Sequence, residues 1–458
     1  MDKADHVGTL PTSRIGEKKL LILISILVVI FMVDSNVGYI ADFIHERLVT
    51  NEGIALFIGI AIVFVVGGIL ILQYVKTKTK ESRARALHLH ATHIGVTIAQ
   101  FVLIAIIAFV IAQILVTAQY NAVMIAAALS ISYGLWIIIL ALLSRAFLSW
   151  LRSSRSNVTV SKRNVMVLIL TLSMIAYVVS GVTGLATFLI MLQEQQKEVV
   201  TSADVAYFLE FDPVSLYSQI DAVYQIVVAV AYVLTWIGTV MLLRPYIPRI
   251  GKIKFYVIMG SVMVYYLIYY PLFVLGYYTP SGENDVEVMN NILIFAVAAV
   301  LTGIIFGAAF LSIAKTLQKG SAIREYMIIA AYGMLLFYVA GDAVATQLAY
   351  PPFGLASVSF IGLSCYLIYT GLYSSAISVS QDANLRQSIR SSAIQEVKFV
   401  ESMGSAHMEQ ELQKRVLSIA KKNSDMMIED TGFVPSLSED DVKQYLEEVI
   451  KEITARKT

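Results

Sequence analysis

The sequence is poor in the residues that build metal centres, disulfides and soluble surfaces. Its single cysteine, Cys365, excludes an intrachain disulfide, and there is no cysteine–histidine framework with metal-ligand spacing. Charged residues make up 15% of the chain, whereas soluble domains carry about 25%. No glycine-rich phosphate loop or nucleophile–base motif is recognisable. We therefore expect no cofactor, no enzymatic activity and no nucleic-acid partner.

Long apolar runs take the place of these features. Hydrophobic residues form 57% of the 458 residues. We predict ten membrane-spanning helices, because each run approaches the roughly 20 residues that cross about 30 Å of hydrocarbon. Helices are the expected form, since backbone polar groups in lipid must be paired within the segment. The predicted spans are approximately 20–41, 54–75, 91–116, 122–143, 165–192, 224–243, 255–278, 292–314, 326–348 and 355–373.

The basic residues predict the orientation of these spans. Twenty-one Lys and Arg residues lie in the N-terminus and the even-numbered loops, whereas the odd-numbered loops hold only Arg47 and Lys197. Cytoplasmic loops carry the excess of Lys and Arg. The sequence thus predicts an all-α polytopic protein of the cell membrane with both termini in the cytoplasm. Its parts are an N-terminal segment 1–19, a bundle 20–373 and a tail 374–458.

Two aspartates lie inside predicted spans. Asp34 falls in the outer part of span one and Asp342 at a similar depth in span nine. Carboxylates within membrane spans are costly and often functional. We interpret both as candidates for holding a cation, a proton or a small ligand on the outer side. The alternative is that each is a hydrated acid near the interface or caps a helix end.

Span seven carries an unusual set of tyrosines. Its sequence places Tyr265, Tyr266, Tyr269 and Tyr270 on adjacent stripes at i,i+4 spacing, directly before Pro271. Pro271 is expected to kink the helix and provide a hinge. The tyrosines are either an aromatic wall of a ligand pocket or packing residues that hydrogen-bond between helices.

Two further patterns are weak. His90 and His93 share a helical face at i,i+3 and could contribute to a metal site, although no second ligand cluster accompanies them. Ten spans could also form two inverted repeats of five, as in several transporters. Short matches, such as Tyr133-Gly134 against Tyr332-Gly333, are too brief to establish a repeat.

The tail has the pattern of three amphipathic helices. The first is expected to continue span ten without a break, because no proline or glycine lies between Tyr373 and Gly404. Gly404 and Ser405 are predicted to interrupt the tail, and a further break is predicted near Thr431. One apolar stripe at helical spacing comprises Leu385, Ile389, Val397 and Val400. Such stripes must be buried against each other, a second copy, a cytoplasmic protein or the membrane surface.

These observations favour three hypotheses on function. The first is a sensor or signalling-type protein that relays an outer ligand or cation signal through span ten to the tail. The second is a secondary transporter with a regulatory tail. The third is a non-catalytic subunit or scaffold of a membrane complex, in which the tail binds a partner. The lipid bilayer is the expected surrounding in each case.

Overall fold

The structure is a computed structural model that describes residues 17–48, 51–117, 122–153, 161–195, 216–264, 285–317, 321–347, 353–381 and 395–431. Its regular elements over these ranges are all helical. The α-helices are α1 Glu17–Leu48, α2 Asn51–Lys78, α3 Lys80–Arg85, α4 Leu87–Thr117, α5 Ala122–Ser153, α6 Ser161–Gln195, α7 Leu216–Leu243, α8 Ile247–Ile250, α9 Lys252–Val264, α10 Asp285–Thr316, α11 Ala322–Gln347, α12 Leu355–Gln381 and α13 Gln395–Thr431. A short 3-10 helix, Arg244–Tyr246, joins α7 to α8.

Eight of the described helices are long and apolar enough to cross a membrane, which confirms a multi-pass helical membrane protein. They correspond to predicted spans two to six and eight to ten. Predicted span one lies in α1, and the side chains beyond Asp34 are not described. Only residues up to Val264 of predicted span seven are described. The total of ten therefore stays a prediction.

The helices pack around α12, which contacts α1, α2, α4, α5, α11 and α13. Lys and Arg residues collect at one end of the bundle, where α2 meets α3 and α11 begins; we call this the basic end. There Lys78 forms an ion pair with Glu325 at 3.0 Å, and the Tyr74 hydroxyl donates to the same carboxylate at 2.8 Å. The Ser82 hydroxyl donates to the Tyr326 hydroxyl at 3.0 Å. These bonds fasten α2 and α3 to α11.

The tail differs from the expectation in two ways. A continuous helix would carry Gly404 about 36 Å beyond Ser380 at 1.5 Å per residue. Gly404 instead lies against Val379 and Ser380, so α13 packs back on α12 and the expected continuous helix is wrong. The predicted interruption at Gly404 is also wrong, because α13 runs unbroken from Gln395 to Thr431. Close packing explains this glycine, since a side chain there would collide with Val379.

Candidate functional site

The central helix α12 is buried from Leu355 to Ile377, and only its last turn reaches the surface. Every residue in the most apolar part of α12 is buried. In each of the other candidate spans, at most 67% of the corresponding residues are buried. A membrane span normally turns part of its surface to lipid, so α12 is shielded by its neighbours. Its sequence permits this because serine, threonine and glycine recur along it, and small residues let helices approach closely.

Two glycines show how tight this enclosure is. A Cβ placed on Gly371 would lie 2.6 Å from the backbone oxygen of Tyr326 and 2.7 Å from the Ala330 nitrogen, both on α11. A Cβ on Gly362 would lie 2.7 Å from the side chain of Leu135 on α5. Real carbon contacts are near 3.5–4.0 Å. Helix α12 is therefore clamped between α11 and α5, with no room for a larger residue at either point.

The N-terminus of α12 is held by Asp34 of α1. The Gly354 N–H donates to Asp34 Oδ1 at 2.9 Å, and the Ser357 N–H and hydroxyl donate to Oδ2 at 2.9 and 2.7 Å. The first N–H groups of a helix lack intrahelical partners and are usually capped by a local side chain. Here the cap comes from another helix, 320 residues earlier in the chain.

This geometry bears on the role of Asp34. The carboxylate is fully buried and both of its oxygens accept hydrogen bonds. The positive end of the α12 dipole also favours a negative charge at this position. Of the alternatives left open by the sequence, the helix cap is the one that the structure contains. A cation or proton at Asp34 would have to compete with the three hydrogen bonds that hold α12.

At the other end of α12, a row of tyrosines meets histidines from α4. Tyr366, Tyr369 and Tyr373 recur at helical spacing on α12. The Tyr366 hydroxyl and His93 Nδ1 are hydrogen-bonded at 2.8 Å. The Tyr373 ring meets the His88 ring edge-on, with centroids 4.6 Å apart. This row therefore couples the basic-end half of α12 to the start of α4.

The tail helix α13 packs against this end of the bundle. Val400 and Met403 are fully buried, and α13 contacts α5, α6, α7 and α10 as well as α12. His407 lies beside Tyr373 and Trp150, with ring centroids 5.5 and 6.3 Å away. Gly404 contacts Val379, whereas His407, which comes later on α13, contacts Tyr373, which comes earlier on α12. The two helices are thus antiparallel where they touch.

His407 has a distinctive electrostatic environment. Burial lowers the pKa of its imidazole, the Glu411 carboxylate opposes this shift, and the charges of Lys414 and His88 add to it. Among the described residues, Nδ1 of this ring has no hydrogen-bond partner. Burial tends to raise the pKa of Glu411, but its bond to Lys414 at 3.0 Å lowers it overall. The docked tail therefore favours neutral His407.

The other predicted site residues are only partly covered by the described structure. Asp342 lies on α11 and Val397 on α13, but their side chains are not described. Leu385 and Ile389 lie outside the described residues, as does the set formed by Tyr265, Tyr266, Tyr269, Tyr270 and Pro271. Their proposed roles stay predictions.

The two histidines that were considered as metal ligands, His90 and His93, differ in burial. His90 is exposed, whereas His93 is buried and bonded to Tyr366. Within the described ranges, no group of three or more His, Cys, Asp or Glu residues is placed to hold a metal ion. The structure assigns His93 a contact with α12 that its spacing from His90 did not suggest.

Sequence reasoning missed several residues of this site. Ser357 supplies two of the three bonds to Asp34, and Trp150 with His407 forms the tail contact. The helical spacing of tyrosines 366, 369 and 373 could have indicated that one face of α12 packs against other helices. No local pattern identifies Ser357 as the partner of a residue on α1.

Comparison of the chain with protein-family models, with curated proteins and with solved structures gives no match. Functional conclusions therefore depend on the geometry of the chain itself.

Proposed function

We propose that this chain is a sensor or signalling-type protein of the cell membrane, in which α12 relays an outer signal to the tail. The observation that supports this is the bonding of both ends of one enclosed helix, to Asp34 at one end and to α13 at the other. In this proposal the basic end and both termini face the cytoplasm, following the distribution of Lys and Arg.

The proposed switch is the cap on α12. A cation, a proton or a small ligand near Asp34 and Asp342 would weaken the hydrogen bonds to Gly354 and Ser357. Since α12 is clamped along its length, a shift or rotation of its first turn would pass to the residues that hold α13. A ligand changes such an equilibrium only through its different affinity for the two states, and competition for the Asp34 oxygens supplies that difference.

The test changes Asp34 at the N-terminus of α12 and measures the docking of α13 at its C-terminal end. Met403 is fully buried against the bundle, and Cys365 is also buried. In a Cys365→Ala background, Met403→Cys provides one thiol whose maleimide labelling reports docking of α13. We expect Asp34→Asn to change this labelling rate severalfold, although Gly354 and Ser380 are about 39 Å apart along α12 at 1.5 Å per residue.

Ser25→Ala is the matched control, because Ser25 lies on α1 but bonds only within that helix, to the Leu21 carbonyl at 3.0 Å. It should leave labelling of residue 403 unchanged. If Asp34→Asn lowers thermal stability but leaves labelling unaltered, the relay is refuted. Substrate flux in proteoliposomes that disappears in Asp34→Asn would identify a transporter instead, and stable capture with other membrane subunits would identify a scaffold.

A further inference from the structure

Arg83 at the basic end is a buried cation without a carboxylate partner. It lies on the short helix α3 and is 8% exposed. Among the described residues, no acidic side chain lies within ion-pair distance of its guanidinium. Glu325 on α11 is already bonded to Lys78 and Tyr74, and Glu81 is exposed. Burying a charge is unfavourable unless its donors are bonded, so the acceptors around this guanidinium matter.

The protein supplies part of this compensation. Arg83 Nε donates to the Thr79 hydroxyl at 3.2 Å, and one terminal nitrogen donates to the Lys76 carbonyl. Lys76 is in the last turn of α2, where carbonyls lack helical partners and carry the negative end of the helix dipole. Arg83 thus caps α2. A guanidinium has five N–H donors, and these two bonds leave three without a protein acceptor among the described residues. The unbonded terminal nitrogen is not among the fully buried polar atoms that lack a partner, so it reaches the surface and is open to a ligand.

The surroundings of these donors are positive. Lys80 and Arg85 are exposed on the same short helix as Arg83 and Lys76 is exposed at the end of α2, against the single exposed acid Glu81. The charges of Arg83 and Lys76 both act on His93. An anion would be attracted to this junction of α2, α3 and α4, and a lone water would not neutralise the charge. The planar fork of Arg matches the oxygens of a phosphate group and forms bonds stronger than those to neutral acceptors.

We propose that Arg83 anchors a phosphate-binding site at this junction, independently of the relay through α12. The candidate span Gly53–Lys78 ends at this junction and the span Leu87–Thr117 begins there. The junction therefore lies where a bilayer places its headgroups. Basic pockets between spans bind anionic lipid headgroups. The phosphodiester of an anionic lipid is therefore the favoured source, and free phosphate is the other source of the same chemistry.

The test compares lipid dependence rather than stability alone. The full-length chain is placed in phosphatidylcholine nanodiscs with increasing phosphatidylglycerol, and retained lipid is counted by native mass spectrometry alongside the thermal midpoint. We expect wild-type protein to prefer phosphatidylglycerol and Arg83→Gln to lose about tenfold of that preference, the loss expected for a charge-assisted hydrogen bond. Arg83→Lys should retain part of it.

Lys80→Gln is the matched control, since it removes one positive charge from an exposed position of the same helix and should reduce the preference much less. Equal lipid dependence in wild type and Arg83→Gln would overturn the proposal and leave Arg83 as a cap of α2. If Arg83→Gln does not fold, a wild-type protein that shows no preference for phosphatidylglycerol or for inorganic phosphate over chloride also overturns it. Saturable binding of inorganic phosphate in detergent, without lipid preference, supports the site and identifies the free ion as its ligand.

Discussion

The contact of Gly404 with α12 gives a prediction whose size follows from the structure. A Cβ on Gly404 would lie 2.5 Å from Val379 Cβ and 3.1 Å from the Ser380 nitrogen. Overpacking of this kind costs about 1–3 kcal/mol. Replacing glycine by alanine inside a helix recovers about 1 kcal/mol. Gly404→Ala should therefore weaken docking of α13 by about 0–2 kcal/mol, which is up to roughly thirtyfold in the undocked population.

A larger side chain at this position should remove the docked state. Leucine cannot fit against Val379, so Gly404→Leu separates α13 from α12 and uncovers Val400 and Met403. Each of these side chains contributes about 1.5–3 kcal/mol when fully buried. The assay is maleimide labelling of Met403→Cys in the Cys365→Ala background. We expect labelling to increase from wild type to Gly404→Ala and again to Gly404→Leu.

Two further variants make the test specific. Gly134→Ala is the control, because a Cβ at that helical glycine meets nothing within 4 Å. It should leave labelling unchanged. Val379→Gly moves the small residue to the other helix and should reverse part of the effect of Gly404→Ala. Wild-type labelling in Gly404→Leu, or the absence of any rescue by Val379→Gly, would refute the docking geometry.

Three other outcomes are expected. Asp34→Ala leaves two backbone N–H groups and one buried hydroxyl without an acceptor, so the free energy of unfolding should fall by about 3–6 kcal/mol, measured by denaturant titration; a loss below about 1 kcal/mol would contradict the cap. Docking of α13 should weaken as the pH falls below about 6.5, because undocked His407 takes up a proton there and docked His407, with its lowered pKa, does not. The decrease should end below the docked pKa. Labelling of Met403→Cys, normalised to that of a parallel Ser418→Cys variant whose residue is exposed on α13, should show this dependence and lose it in His407→Phe. Native Cys365 is fully buried, so it should react with maleimide only after denaturation; rapid labelling in the folded protein would contradict the enclosure of α12.

Much of the architecture was predictable because lipid imposes simple requirements. Apolar runs near 20 residues predicted the spans, and the described helices confirm a multi-pass helical protein. The stretch that begins at Leu355 was predicted as the last span, which joins the bundle to the tail. Its position at the centre of the bundle was not, because a hydropathy pattern does not distinguish a lipid-facing helix from an enclosed one.

The tail shows why local rules failed. Glycine lowers helix propensity, and on that basis Gly404 was expected to end a helix. The tertiary contact reverses this preference, because only a residue without a side chain lets α13 approach Val379. Similarly, the absence of proline and glycine between α12 and Gly404 favoured one long helix. Burial of Val400 and Met403 against the bundle is possible only if the chain folds back.

The membrane class, the approximate spans and the sorting of charge could be predicted, because they depend on composition and on spacing along the chain. The folded structure was needed to show that Asp34 caps α12, that His93 meets Tyr366 and that Arg83 is buried with no ion pair to an acid among the described residues. The first two relations depend on a partner on another helix, and the third depends on which groups α2, α3 and α11 bring together. Such pairings are set by packing in three dimensions, and spacing along one helix carries no information about them.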